Sequence, residues 1–426
     1  MNLIEELQWR GLIQDIIPET EEYLNKNSTS GYIGFDPTSD SLHVGSFIQI
    51  MLLRHLQRAG HRPIVLVGGA TGMIGDPSGR NTEREFLSTE QIQKNIEGQK
   101  NQLAKFIDFS SSAKNGAILV NNIDWFKDFT FLNFIRDVGK HISVNYMIAK
   151  DSVQNRMENG ISFTEFSYQL VQGYDFLHLY RHYNCRLQIG GSDQWGNIVT
   201  GTELIRRIDQ GKAYAFTTPL ITKADGSKFG KSASGEQIWL DAQKTSPFKF
   251  YQFWLNRSDE EALMFLKKFT FYTQEQINAL STEHNAAPHL RILQKEIAKE
   301  LTTLVHSEDD FTQSVEATNL LFGNASIEKM KSLSEQEILE IFEGVPQCKI
   351  NKSALTNTID LVSFLTAETQ IMSSNNEARR CISENSISIN KQKVNVEKLV
   401  DLSDLINDKY IIVQQGKKKY FLVIAE

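Results

Sequence analysis

Apolar positions in the first half of the chain fall into short runs, separated by segments with helical spacing. Gly31-Tyr32-Ile33-Gly34-Phe35 reads as a strand, Asp36 to Ser41 as a turn, and Val44 to Ala59 as a helix whose apolar residues recur every three or four positions. Pro63 to Gly69 is a continuous apolar run, the signature of a strand buried on both faces. Ile118-Leu119-Val120, followed by Asn121-Asn122, and Arg186 to Gly191 are two further strand candidates. Strands alternating with helices predict a doubly wound parallel α/β sheet over 1–244. A mostly helical insertion, about 125–183, interrupts it, and its apolar start at Phe129 to Ile135 suits a subunit interface. Helical spacing alone continues over 245–330, which predicts an all-helical domain. A weakly patterned stretch, 331–350, reads as a linker. A small α+β domain is expected over 351–426, with helices near 361–365 and 376–384, a strand at 386–390, and two strands joined by a basic turn between Tyr410 and Val423.

Composition narrows the class. The 426 residues are 40% hydrophobic and 23% charged, as in soluble globular proteins, and call for more than one domain. No apolar run approaches the ~18 residues that span a bilayer, and the first residues are acidic where a signal peptide is basic. A cytoplasmic protein without a membrane partner is expected. Cys185, Cys348 and Cys381 are far apart and odd in number, which predicts neither a disulfide framework nor a metal site. The net charge of −7 argues against a general nucleic-acid binder, but residues 346–426 carry eleven Lys and Arg against nine Asp and Glu. A polyanionic partner would meet that local excess.

Five segments carry candidate chemistry. Gly34-Phe35-Asp36-Pro37-Thr38-Ser39-Asp40-Ser41-Leu42-His43-Val44-Gly45-Ser46 leaves a strand and opens a helix, where ligands bind in open α/β sheets and helix N–H groups meet phosphate. Thr38 and His43 can donate hydrogen bonds there, and Gly45 lets a base approach the backbone. Lys228-Phe229-Gly230-Lys231-Ser232 sits among glycines and serines, as a loop able to close over a triphosphate does; alone, it is an ordinary basic turn. Tyr168, Gln172 and Asp175 share one helix face. Gly190 to Asn197 and Gly68 to Gly79 each follow a strand; their simplest reading is a turn, capped by Asp193 in the first case.

Together and in order, these segments resemble the class I aminoacyl-tRNA synthetases, with the family's two nucleotide signatures in the forms of the tyrosine enzymes of bacteria. The resemblance implies a Rossmann-like catalytic domain, a helical anticodon-binding domain over 245–330, and a C-terminal RNA-binding fold named for ribosomal small-subunit protein four. It implies activation of L-tyrosine by ATP with Mg²⁺, then transfer to tRNA(Tyr), by a homodimer with no tightly bound cofactor and no metal ligands. Tyr32 and Asp175, the latter as an ionised acceptor, would read the phenol. Asp76, Tyr168 and Gln172 would hold the ammonium, with Gln194 near the carboxylate. Gly34, Asp36, Thr38, His43, Gly45, Asp193, Lys228, Lys231 and Ser232 would bind ATP, and among them Thr38, His43, Lys228 and Lys231 would serve catalysis. Arg379, Arg380, Lys417, Lys418 and Lys419 would meet tRNA phosphates. Ile33 and Ser46 depart from the family pattern and offer ATP fewer polar contacts. A tryptophan-specific sister enzyme and a non-catalytic RNA-binding relative are the alternatives.

Overall fold

The computed structural model describes the chain except residues 79–86, 151–152, 155–156, 158–159, 222–228, 231–234, 323–329, 333, 343–344 and 417–418, and the side chains of 320–322, 337, 340 and 341. It forms two compact units, 1–245 with 254–305, and 246–253 with 306–426.

The first unit is built on five parallel strands: β1 (Ser30–Phe35), β2 (Arg62–Val67), β3 (Ile118–Asn121), β4 (Cys185–Gly191) and β5 (Tyr214–Thr218), in the order β3-β2-β1-β4-β5. The sheet is all parallel because every crossover carries helix, which also covers its faces. Ile64 to Val67 are buried, which explains their unbroken apolar run. The chain winds outward from β1 through β2 to β3, then returns to β4 on the other side. The order therefore reverses between β1 and β4, and a crevice opens at their C-terminal ends.

The helices before and between these strands are α1 (Leu3–Trp9), α2 (Thr20–Lys26), α3 (Phe47–Arg58), α4 (Thr89–Phe106), α5 (Ile123–Phe126), α6 (Phe131–Asp137), α7 (Val144–Ile148), α8 (Phe163–His182) and α9 (Trp195–Asp209). β5 was not among the strands expected from the pattern. Its Tyr-Ala-Phe-Thr-Thr sequence is short and mixed, yet all five residues are buried. Its outer edge is paired by the N-terminal segment, where Gln14 and Ile17 donate to the carbonyls of Thr217 and Ala215. Further helices cover Asp259–Phe269, Gln274–Ala286 and Ile292–Val305. Arg10, itself buried, donates to the carbonyl oxygens of Lys267, Thr270 and Tyr272 and so caps the first of them.

The second unit contains a five-stranded sheet of β6 (Gln347–Ile350), β8 (Ile387–Ile389), β9 (Gln392–Lys393), β11 (Tyr410–Gln415) and β12 (Lys419–Ala425), in the order β6-β12-β11-β8-β9; β7 (Ile359–Asp360) and β10 (Leu399–Val400) pair separately. The stretch read as a linker, 331–350, contains the helix Glu335–Ile341 and β6, which pairs in parallel with β12. Ile338 and Phe342 pack with Tyr410, Ile412, Leu422 and Ile424 on one face of the sheet. A larger core, including Leu361, Phe364, Ile382, Ile387 and Val413, forms a second cluster.

Candidate active site

A cavity of about 570 Å³ occupies the crevice between β1 and β4. Tyr32, Gly34, Asp36, Thr38, His43, Asp76, Tyr168, Gln172, Asp175, Asp193 and Gln194 all line it, although they are scattered over 163 positions from first to last. Lys228, Lys231 and Ser232 lie outside the described residues. The two residues between those lysines, Phe229 and Gly230, are described: Phe229 is buried, and a Cβ added to Gly230 would lie 3.5 Å from the amide nitrogen of Gly45. Both lysine positions therefore flank a pair that abuts the His43 signature.

The floor of the cavity is polar and buried. Asp175, on α8, accepts from the Asn122 amide at 3.1 Å and from the Trp125 indole N–H at 2.9 Å. Both donors follow the end of β3, and neither was picked out from the sequence, although the Asn-Asn pair at a strand's C-terminal end was a usable signal. Asp175 was expected to act as an ionised acceptor, and its surroundings work against that charge. Burial pushes its carboxyl up to about 8 against those two donors, and Asp36 adds to the push. Beside it, the Tyr32 hydroxyl is buried and has no hydrogen-bond partner among the described residues. Burial, reinforced by Asp175, holds that phenol well above its ordinary range.

Two further clusters stand above the floor. Tyr168 donates to Oδ2 of Asp36 at 3.0 Å, while Thr71 donates to Oδ1 at 2.8 Å. Asp36, grouped with the nucleotide segment in the sequence, thus sits with Tyr168. Asp76 accepts from the Ser78 amide at 2.9 Å and the Gln194 side chain at 2.6 Å. Asn197 joins them by donating to Gln172 at 3.0 Å. Two carboxyl groups, Asp36 and Asp76, and three side-chain amides, Gln172, Gln194 and Asn197, thereby gather where an ammonium and a carboxylate could be held together.

At the nucleotide end, His43 is neutral and its tautomer is set. The Gly45 backbone N–H donates to Nδ1 at 3.0 Å, so the ring proton resides on Nε2. Burial lowers the imidazole pKa below its ordinary value. Gly45 is required by this geometry, since a Cβ there would lie 2.7 Å from His43 Cε1. Thr38 is exposed on the same wall of the cavity.

In the second unit, Arg379 and Arg380 are exposed on the helix Asn375–Ser383, and Lys419 is exposed at the start of β12. Arg380 and Lys419 both act on the Glu377 carboxyl, which Ser373 holds below its ordinary range, so the two cations share one surface. Lys417 and Lys418 lie outside the described residues.

The profile of the family described as tRNA synthetases class I (W and Y) matches residues 24–323, and that of the tyrosine–tRNA ligase SYY-like C-terminal domain matches residues 337–423. A tyrosine–tRNA ligase of Flavobacterium johnsoniae is 56% identical over 427 residues, 99% of each chain. One from Bacteroides thetaiotaomicron is 54% identical over 431 residues, 100% of each chain. The crystal structure of a C-terminally truncated mitochondrial tyrosyl-tRNA synthetase from Aspergillus nidulans superposes with a TM-score of 0.68 at 31% identity, covering 75% of this chain and 94% of that one. With the described candidate residues gathered around one crevice and both profiles matched in order, the chain belongs to the tyrosine–tRNA ligase family of class I synthetases.

Proposed function

We propose that this crevice joins L-tyrosine to ATP, releasing pyrophosphate, and that the tyrosyl group then passes to the 3′-terminal adenosine of tRNA(Tyr). The observation that carries the reading is the buried, unpartnered Tyr32 hydroxyl beside Asp175 at the cavity floor. A buried polar group without a partner is costly, and a substrate phenol would supply the missing one. A phenol can donate to Asp175 and accept from Tyr32 at once, whereas an indole has one donor and no acceptor and would serve only one of the two, which disfavours tryptophan.

Asp36, Asp76, Tyr168 and Gln172 surround the α-ammonium, and Gln194 lies near the carboxylate. Asp193 faces the ribose, and Gly34 and Gly45 give ATP access to the backbone. Mg²⁺ accompanies ATP as its counter-ion. Thr38 and the Nε2–H of His43 donate to the β and γ phosphates, joined by Lys228, Lys231 and Ser232, and these contacts strengthen as pyrophosphate departs. No side chain acts as a nucleophile; catalysis comes from positioning and from donors aimed at the charge that develops in the transition state.

Residues 245–330 serve the anticodon, and the sheet of the second unit, with Arg379, Arg380 and Lys417 to Lys419, meets tRNA phosphates. The enzyme works as a cytoplasmic homodimer paired through its helical insertion. ATP–pyrophosphate exchange against a panel of amino acids tests the substrate assignment. Tyrosine alone should stimulate exchange. Stimulation by tryptophan would overturn the assignment, and no stimulation by any amino acid would favour a non-catalytic RNA-binding protein.

A further inference from the structure

The polar sequence of α4, Thr-Glu-Gln-Ile-Gln-Lys-Asn-Ile-Glu-Gly-Gln-Lys-Asn-Gln-Leu, conceals a buried face in which amides alternate with apolar side chains. Asn95, Gln99 and Gln102 are buried with Ile92, Ile96 and Leu103. Their spacing of four and three places them on one side of the helix. All three grip the backbone of residues 36–42. Asn95 donates to the carbonyl of Pro37 at 2.8 Å. Gln99 donates to the carbonyls of Asp36 and Ser39 at 3.2 and 3.0 Å. Gln102 accepts from the Leu42 amide at 2.7 Å and donates to the Ser41 hydroxyl at 2.9 Å. Gly98 lets the two segments approach: a Cβ there would lie 2.1 Å from the carbonyl oxygen of Asp40.

We propose that Asn95, Gln99 and Gln102 are positioning residues for the activation step, an amide row that fixes the loop from which Thr38 and His43 reach the nucleotide. The inference rests on the phosphate roles given to those two residues. A loop between a strand and a helix has few bonds of its own, and α4 supplies residues 36–42 with partners for three carbonyls, one amide and one hydroxyl. Fixing such a loop beforehand removes the need to order it during reaction, and a displacement of about 1 Å in a catalytic group can cost ~10²-fold in rate. Gln102 lies nearest in sequence contact to His43, through Leu42, and is the cleanest handle, because Gln99 also holds Asp36 among the tyrosine contacts.

The test compares Gln102→Met, close in size but unable to accept, with Gln102→Glu, which keeps the acceptor. In Gln102→Met the rate of adenylate formation should fall about 10- to 100-fold. Tyrosine affinity should stay within about twofold, and Leu42 amide exchange should accelerate at least about tenfold, since Gln102 is its acceptor. Gln102→Glu should restore most of both. In a His43→Ala background, Gln102→Met should slow the reaction by no more than about threefold, because it acts through the loop. Unchanged Leu42 exchange, or full additivity with His43→Ala, would overturn the amide row. A His43→Ala enzyme of normal rate would instead overturn the phosphate reading and leave the exchange result to stand by itself. If Gln102→Met does not fold, Gly98→Ala gives the second test: it keeps the amides but should part the loop from the helix, with the same kinetic signature, and a wild-type rate there would refute the proposal.

Discussion

The indole N–H of Trp125 donates to Oδ1 of Asp175 at 2.9 Å, and the same indole stacks on His178, with ring centroids 4.3 Å apart. Trp125 begins the helical insertion, so the carboxyl that would read the substrate phenol is held from the insertion as well as from the sheet. Trp125→Phe keeps a ring over His178 and removes the donor. The kcat/KM for tyrosine should fall about tenfold, near the value of one hydrogen bond, while that for phenylalanine should change less than about twofold. Steady-state kinetics on both amino acids decides it. Equal losses would reduce Trp125 to a packing residue.

Asp175 also predicts a proton. Burial pushes its carboxyl up to about 8, above the ordinary carboxylate value, so near neutral pH the folded protein holds a proton that the unfolded chain releases. This group's contribution to stability is therefore greatest below the ordinary value, and it declines as pH rises towards 8. Accepting a phenol hydrogen bond favours the anion. Tyrosine binding near pH 7 should then release close to one proton, and affinity should rise with pH up to about 8. Calorimetry in buffers of different ionisation enthalpy measures the release, which Asp175→Asn should abolish. Tyrosine uptake without proton release in the native enzyme would mean that Asp175 donates to the phenol.

His43 and Gly45 form one unit. His43→Ala should slow adenylate formation by the ~10²–10³ of a lost donor to developing charge, with tyrosine affinity nearly unchanged. Gly45→Ala should approach the same loss with the imidazole still present, because the added methyl would displace the ring. Single-turnover kinetics separates these effects from binding. A Gly45→Ala enzyme with normal single-turnover rates would show that the Nδ1 contact is dispensable.

The insertion exposes large apolar side chains: Leu132 is 76% and Phe131 62% exposed, and Ile135 and Val144 are exposed as well. Such a patch on a single chain marks an interface, and a two-fold axis makes it self-complementary. Light scattering at micromolar concentration should give about twice 48.5 kDa. Leu132→Asp should shift the population to monomer. A monomeric native protein would leave the patch for another partner.

The sequence revealed most clearly those features that local rules determine. β1, β2, β3 and β4 announced themselves by apolar runs, and the segments that follow β1, β2 and β4 gathered at one edge of the sheet, where α8 brings Tyr168, Gln172 and Asp175 to meet them. β5 escaped because its burial comes from the N-terminal segment pairing across some two hundred positions, which no local pattern reports. The packing of Ile338 and Phe342 was missed for a related reason: weak periodicity says little when the covering surface is a distant sheet. The buried face of α4 was hidden because amides served as its core, hydrogen-bonded to a loop that the helix pattern does not contain. Asn122 and Trp125 had a positional cue but no recognisable spacing. The upward push on the Asp175 carboxyl comes from burial, which a sequence does not display.

The cavity lining includes the carboxyl groups of Asp36, Asp76, Asp175 and Asp193, and among the described residues it contains no lysine or arginine. This imbalance has a consequence in time. A polyanion entering the crevice meets like charge at Asp36, Asp76 and Asp193, whereas an amino acid arrives with an ammonium that the same carboxylates attract. Bound tyrosine brings its own carboxylate with that ammonium, and the proton freed from Asp175 adds one negative charge, so the nucleotide should enter more slowly behind tyrosine than ahead of it. Stopped-flow mixing with tyrosine preloaded should give the slower ATP association, and the difference should shrink as salt screens the field. Equal rates in either order would mean that the crevice sets no sequence of arrivals.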